Sequence, residues 1–133
     1  MPEQPTCVAV LLCEMILEDQ RSNNRSYINA FNAIYAPAMP ATHSRLCVLV
    51  SMTDVVGAHE ITVQIRNPAG AIILNLSVPL QAADPLDTLD HVVEILNVQF
   101  TQYGGYYVDV LCDGRHVGSR KFSVIQAPSQ PAP

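Results

Sequence analysis

The stretch from Phe100 to Val117 constrains this chain more than any other segment. It reads as a strand running into Asp113-Gly114, with a second strand, Lys121 to Ile125, returning beside it. Asp-Gly supplies the positive φ angles of a two-residue type I′ turn, so the pairing signal is local. Tyr106, Val108, Val110 and Cys112 fall on one face; Tyr107, Asp109, Leu111 and Asp113 fall on the other. That is the period of a strand with one face in a core. Val108 is therefore expected inside. Asp109 is expected in solvent, where replacement by Ser should cost no more than about 1 kcal/mol.

Further strands precede the hairpin. Cys7 to Leu17 is apolar on both faces and reads as a central strand, followed by a polar turn from Asp19 to Arg25. Ser26 to Tyr35 reads as one returning strand, ended by Pro37 and Pro40. Arg45 to Thr53 follows, and His59 to Arg66 alternates cleanly, with Ile61, Val63 and Ile65 inward. Asn67-Pro-Ala-Gly has the residues of a tight turn in order. Ile72 to Leu80 continues as a strand, and Pro79 places it at a sheet edge or fraying there. Asp84-Pro85 offers a helix cap and first turn, so a short helical turn is expected near 85–89. A strand from about 91 to 100 then carries Leu96, Val98 and Phe100 in phase. A single helix across 85–97 is the competing reading. About eight short strands with frequent turns predict an all-β fold, a single immunoglobulin-like antiparallel sandwich. Tyr106, after Gly104-Gly105, is placed to serve as a tyrosine corner, with Tyr103 and Tyr107 as rivals.

A chain of 133 residues forms one domain able to bury a core without staples. Residues 1–6 are expected to be a flexible N-terminus, 7–126 the sandwich, and 127–133 a Pro-rich disordered tail. A net charge of −5 with seven Lys and Arg gives no electrostatic reason to bind nucleic acid or an anionic membrane. The apolar run Cys7–Cys13 has no cationic lead-in and is interrupted by Glu14, so it reads as a strand rather than a signal or membrane span. A cytoplasmic setting then predicts that Cys7, Cys13, Cys47 and Cys112 are free thiols, with a disulfide framework as the alternative.

Leu12-Cys-Glu-Met-Ile16, Ser26-Tyr-Ile-Asn-Ala-Phe31, Ile65-Arg-Asn-Pro-Ala-Gly70, and Phe100 with Tyr103-Gly-Gly-Tyr106 and Asp113-Gly114 are landmarks of a wider pattern. Over residues 7–126 the chain resembles a family of small stand-alone bacterial proteins of unknown function. The resemblance implies a compact immunoglobulin-like fold and a bacterial cytoplasmic setting. It supplies no catalytic residues.

Constellations able to carry chemistry are sparse. Cys112, Asp113 and His116 form a candidate reactive cluster across the hairpin, although Cys112 points to the core by the alternation above. Asp90 and His91 are adjacent, and adjacent strand residues face opposite ways. His43, His59, His91 and His116 lack close metal-ligand spacing, though His59-Glu60 and His116 would approach if their strands meet. Asp84, Asp87, Asp90 and Glu94 lack the dense pattern of a calcium loop. No catalytic, cofactor or metal residue is therefore assigned. The expected role is a non-catalytic interaction or accessory module; the alternative is an enzyme or small-ligand binder with loops at one end forming the site. The first strand and Ile72-Ile73-Leu74 carry more apolar surface than one core face hides. Ile73 is accordingly the candidate self-association surface of a homodimer; any further protein partner is unspecified.

Overall fold

The computed structural model describes residues 5–82, 84 and 86–128. Among the described residues nine strands form two sheets: β1 (Thr6–Glu18), β2 (Arg25–Ala30), β3 (Ala33–Ala36), β4 (Ala41–Thr53), β5 (Ala58–Arg66), β6 (Ile72–Gln81), β7 (Leu89–Phe100), β8 (Gly104–Cys112) and β9 (Arg115–Gln126). One sheet has the order β2-β1-β4-β7, the other β3-β9-β8-β5-β6. The β8–β9 hairpin beside β5, facing β4 paired with β7, gives the immunoglobulin-type arrangement.

The core lies between the sheets. Leu12, Leu46, Val48, Val50 and Met52 from the first sheet meet Ile61, Val63, Ile65, Val108 and Val110 from the second. At one end Phe100, Tyr106 and Phe122 close the sandwich with ring centroids 5.0–5.9 Å apart. The Tyr106 hydroxyl donates to the Gln102 carbonyl at 2.7 Å, which makes it the tyrosine corner. Tyr103 instead donates to Ala36 at the end of β3, and Tyr107 lies under the Arg66 guanidinium at 4.9 Å.

Other local signals fold as read. Asp113 (φ 51°) and Gly114 (φ 82°) make the left-handed pair that the turn requires. Gly70 N–H closes the turn onto the Asn67 carbonyl at 2.9 Å. Pro79 sits in β6, an edge strand whose unpaired side tolerates the missing donor. Val108 is fully buried.

Five expectations need correction. Ser26–Tyr35 is two strands in different sheets: the chain crosses at Phe31-Asn32, and β3 lies parallel to β9. The cross-over is held by Phe31 N–H to Leu12 on one side and Ser123 N–H to Asn32 on the other. The returning hairpin strand extends from Arg115 to Gln126, beyond the expected Lys121–Ile125, with a register shift opposite Val110/Leu111. The helical turn near 85–89 is a capped bend: the Asp84 carboxylate accepts from Leu86 N–H and its carbonyl from Asp87 N–H; Pro85 itself lies outside the described residues. β7 then starts at Leu89. Leu96 is exposed while Ile95, Val98 and Phe100 are buried, because Asn97 takes a left-handed conformation (φ 56°) that inverts the alternation. Finally, β1 begins at Thr6, inside the segment expected to be flexible, and Pro5 is buried with its carbonyl accepting from Arg115. Residues 1–4 and 129–133 lie outside the described residues.

Candidate functional site

The β8–β9 turn does more than reverse the chain. Register Ile61↔Cys112 brings the start of β5 beside the turn, and the ladder continues past the strand end. Asp113 N–H donates to the Glu60 carbonyl at 2.9 Å, and Glu60 N–H returns a bond to Asp113 Oδ1 at 2.8 Å. Asp113 Oδ2 then faces His59 Nδ1 at 2.5 Å, while His59 Nε2 lies 2.7 Å from the Val56 carbonyl. Ligand atoms of His59, Asp113 and buried Cys112 lie within 4.8 Å of one another. The hydrogen bond to Asp113 raises the imidazole pKa, and the same bond holds the Asp113 carboxyl below its ordinary value. Burial, then the charge of Asp113, pushes the Cys112 thiol up.

The expected Cys112, Asp113 and His116 cluster is thus two-thirds assembled, with His59 in the place foreseen for His116. Sequence alternation aims His116 elsewhere: its Nε2 lies 3.4 Å from Asp109. The chemistry also differs from nucleophilic activation. A base would turn one nitrogen to the thiol and the other to an orienting acceptor. Here the two nitrogens meet a carboxylate and a carbonyl, and the thiol is shifted away from thiolate. The arrangement can hold a proton or a cation between Nδ1 and the carboxylate. The signal for His59 was its position two residues before Ile61; it became informative only with the β5–β8 register.

Asp109 is on the outer face, as the alternation requires, yet only 4% exposed. Arg66 closes over it through a charge-assisted contact from Nε, and Ser119 Oγ donates to it at 2.9 Å. Burial pushes its carboxyl pKa up, but the bonds from Arg66, Ser119 and His116 outweigh this and leave it lowered. Several other acidic side chains have partners of their own. Asp90 accepts from Ser51 at 2.6 Å and pairs with Arg25, Glu94 pairs with Arg45, and Asp84 caps its own turn.

Beside the β2–β3 cross-over, three adjoining hollows of about 490, 370 and 450 Å³ share His43. Asn29 donates to Glu14 at 3.0 Å on their rim, and Phe31 lies edge-on to the His43 ring at 5.6 Å. His43 Nε2 is buried and lacks a partner among the described residues. Ile73 is on the outer face of edge strand β6, exposed as expected, with Ile72 and Leu76 exposed along the same strand.

The described residues contain no helix long and apolar enough to cross a membrane. Among solved structures, an alkylpurine DNA glycosylase from Pseudomonas fluorescens, bound to DNA containing an abasic-site analogue, aligns at 13% identity and TM-score 0.44, over 70% of this chain and 27% of that one. A β-glucosidase from Listeria innocua, in complex with isofagomine, aligns at 16% identity and TM-score 0.46, over 72% and 15%. An immunoglobulin-like protein from Pseudomonas aeruginosa aligns at 10% identity and TM-score 0.42, over 92% and 98%. This chain therefore spans well under two-thirds of the first two. No curated protein matches it. A family model does match residues 8–125, nearly the whole sandwich, and on that match the chain belongs to DUF6941, a family of unknown function.

Proposed function

We propose that this chain is a non-catalytic interaction module of the bacterial cytoplasm that self-associates by edge-to-edge pairing of β6. One observation carries this reading. β6 is hydrogen-bonded to β5 on one side only, and its sequence, Ile72–Gln81, contains no charged residue. Natural edge strands are usually blunted by charge, proline, bulges or a covering loop, because a bare edge is a template for another strand. β6 has a register shift at Ile73 and a proline at 79, and between them Leu74–Val78 is uncharged and regularly paired to β5. Here Ile72 is 53%, Ile73 39% and Leu76 37% exposed. A second copy brought up antiparallel about a two-fold axis would satisfy the free backbone groups and shield these side chains together. A reducing compartment would keep Cys7, Cys13, Cys47 and Cys112 as thiols.

Light scattering at tens of micromolar on a chain ending at Gln126 tests it. A dimer that becomes monomeric on Ile73→Lys supports the reading; a monomeric parent chain removes it. A small-ligand site is the second reading, favoured by the unpartnered His43 Nε2 where the three hollows meet. A shift of the His43 nitrogen resonances on adding small carboxylates or polyols would favour it, and unmoved resonances would dismiss it.

A further inference from the structure

We propose that His59, Asp113 and Cys112 form a three-ligand site for a divalent transition metal of the zinc type at the β8–β9 turn. Among the described residues this is where three histidine, cysteine or carboxylate ligand atoms converge within 4.8 Å. In a tetrahedral zinc site, bond lengths of about 2.0–2.3 Å put neighbouring ligand atoms roughly 3.3–3.8 Å apart. The 2.5 Å separation of His59 Nδ1 and Asp113 Oδ2 opens slightly to admit the ion, and Cys112 Sγ closes from the buried side. These are side-chain adjustments of about 1 Å or less.

A second observation points the same way. Metal-binding histidines characteristically donate their other ring N–H to a carbonyl or carboxylate, which selects the tautomer and aims the lone pair. His59 Nε2 already meets the Val56 carbonyl at 2.7 Å, so Nδ1 is the nitrogen left to coordinate. Asp113 is oriented likewise, its Oδ1 held by Glu60 N–H at 2.8 Å and its Oδ2 turned to the site. Both ligands are thus aimed by backbone groups of the β4–β5 loop and β5. The mixed nitrogen, sulfur and oxygen set suits Zn2+ or Co2+ over the hard cations, which prefer oxygen alone. Asp113, half-exposed, leaves an entry path, and three protein ligands leave a fourth position for water. Binding displaces the Cys112 thiol proton and any proton held between His59 Nδ1 and Asp113, and these leave to solvent.

The test is a Co2+ titration of the full-length, reduced, metal-free chain, read by near-ultraviolet thiolate-to-cobalt charge-transfer absorption and reversed by Zn2+. One equivalent giving that band is the expected result. Cys112→Ser should abolish the band, and His59→Gln should weaken binding at least about tenfold. Because Cys112→Ser alters a buried position, Asp113→Asn serves as the second variant. Asn is favoured in this turn and keeps an acceptor for Glu60 N–H, so the fold survives while affinity falls by about tenfold or more. Absence of the band in the parent chain overturns the site. So does a band unchanged in Asp113→Asn and His59→Gln but lost when Cys13 and Cys47 are both replaced by Ser.

Discussion

A carboxylate on the outer face of a sheet ordinarily keeps its water, and Asp109 does not. The guanidinium of Arg66, the Ser119 hydroxyl and His116 take the place of that water. Asp109→Ser therefore removes the common acceptor of three donors, and should cost about 1–3 kcal/mol rather than the small loss of a solvated site. Val108→Asp should cost still more, since it puts an unpaired carboxylate between the sheets. Urea denaturation midpoints of the two variants against the parent chain check both values. The side chain's pKa adds a pH signature. Because it is lowered on folding, its contribution is fully present above the unfolded value of about 3.9 and is lost as pH falls through the lower folded value. The stability difference between the parent chain and Asp109→Asn should hence be constant from neutral pH to about 5 and shrink below about 4. A difference that stays constant to pH 2 would show that no such shift exists. Alternation correctly gave the face of Asp109 but not its burial, since that depends on Arg66 reaching across from the neighbouring strand.

At the scale of elements, signals contained in a few adjacent residues were legible: the Asp113-Gly114 turn, the Asn67–Gly70 turn and the Gly-Gly-Tyr106 corner. What was illegible depended on which strand lies alongside. β2 and β3 have the same extended preference in either sheet, so their separation at Phe31-Asn32 is decided by pairing with β1 and β9. The His59–Asp113 contact likewise joins the start of β5 to a turn distant in sequence. Asn97 is intermediate, a residue tolerant of left-handed backbone in a stretch that otherwise reads as continuous alternation. Its φ of 56° is what allows Ile95 and Val98 both to face inward. Asn97→Gly should leave stability within about 0.5 kcal/mol, because glycine adopts this conformation freely. Asn97→Val should cost about 1–2 kcal/mol, or restore regular alternation and expose Val98. Thermal unfolding of the two variants separates them; equal losses would mean that the inversion does not rest on this residue.

At the scale of the whole molecule, the two edges of the five-stranded sheet are unlike. β3 is four residues long, whereas β6 is ten residues long and uncharged, interrupted by a register shift at Ile73 and by Pro79. A dimer formed through β6 would join two five-stranded sheets into one continuous sheet and leave both four-stranded sheets outside. In an antiparallel ladder alternate residues of an edge strand direct their N–H groups outward, so pairing should protect about half of the β6 amides. The amides directed to β5 are bonded in monomer and dimer alike. Hydrogen exchange measured at low and high protein concentration should therefore show slowing confined to alternate β6 positions, with β3 unchanged. Ile73→Lys should remove this dependence, because it places a charge on the edge with which the second strand must pair. Slowing spread evenly over both sheets would instead indicate general stabilisation. Slowing confined to the outer face of the four-stranded sheet, where Met15 and Leu96 are exposed, would move the contact to that face.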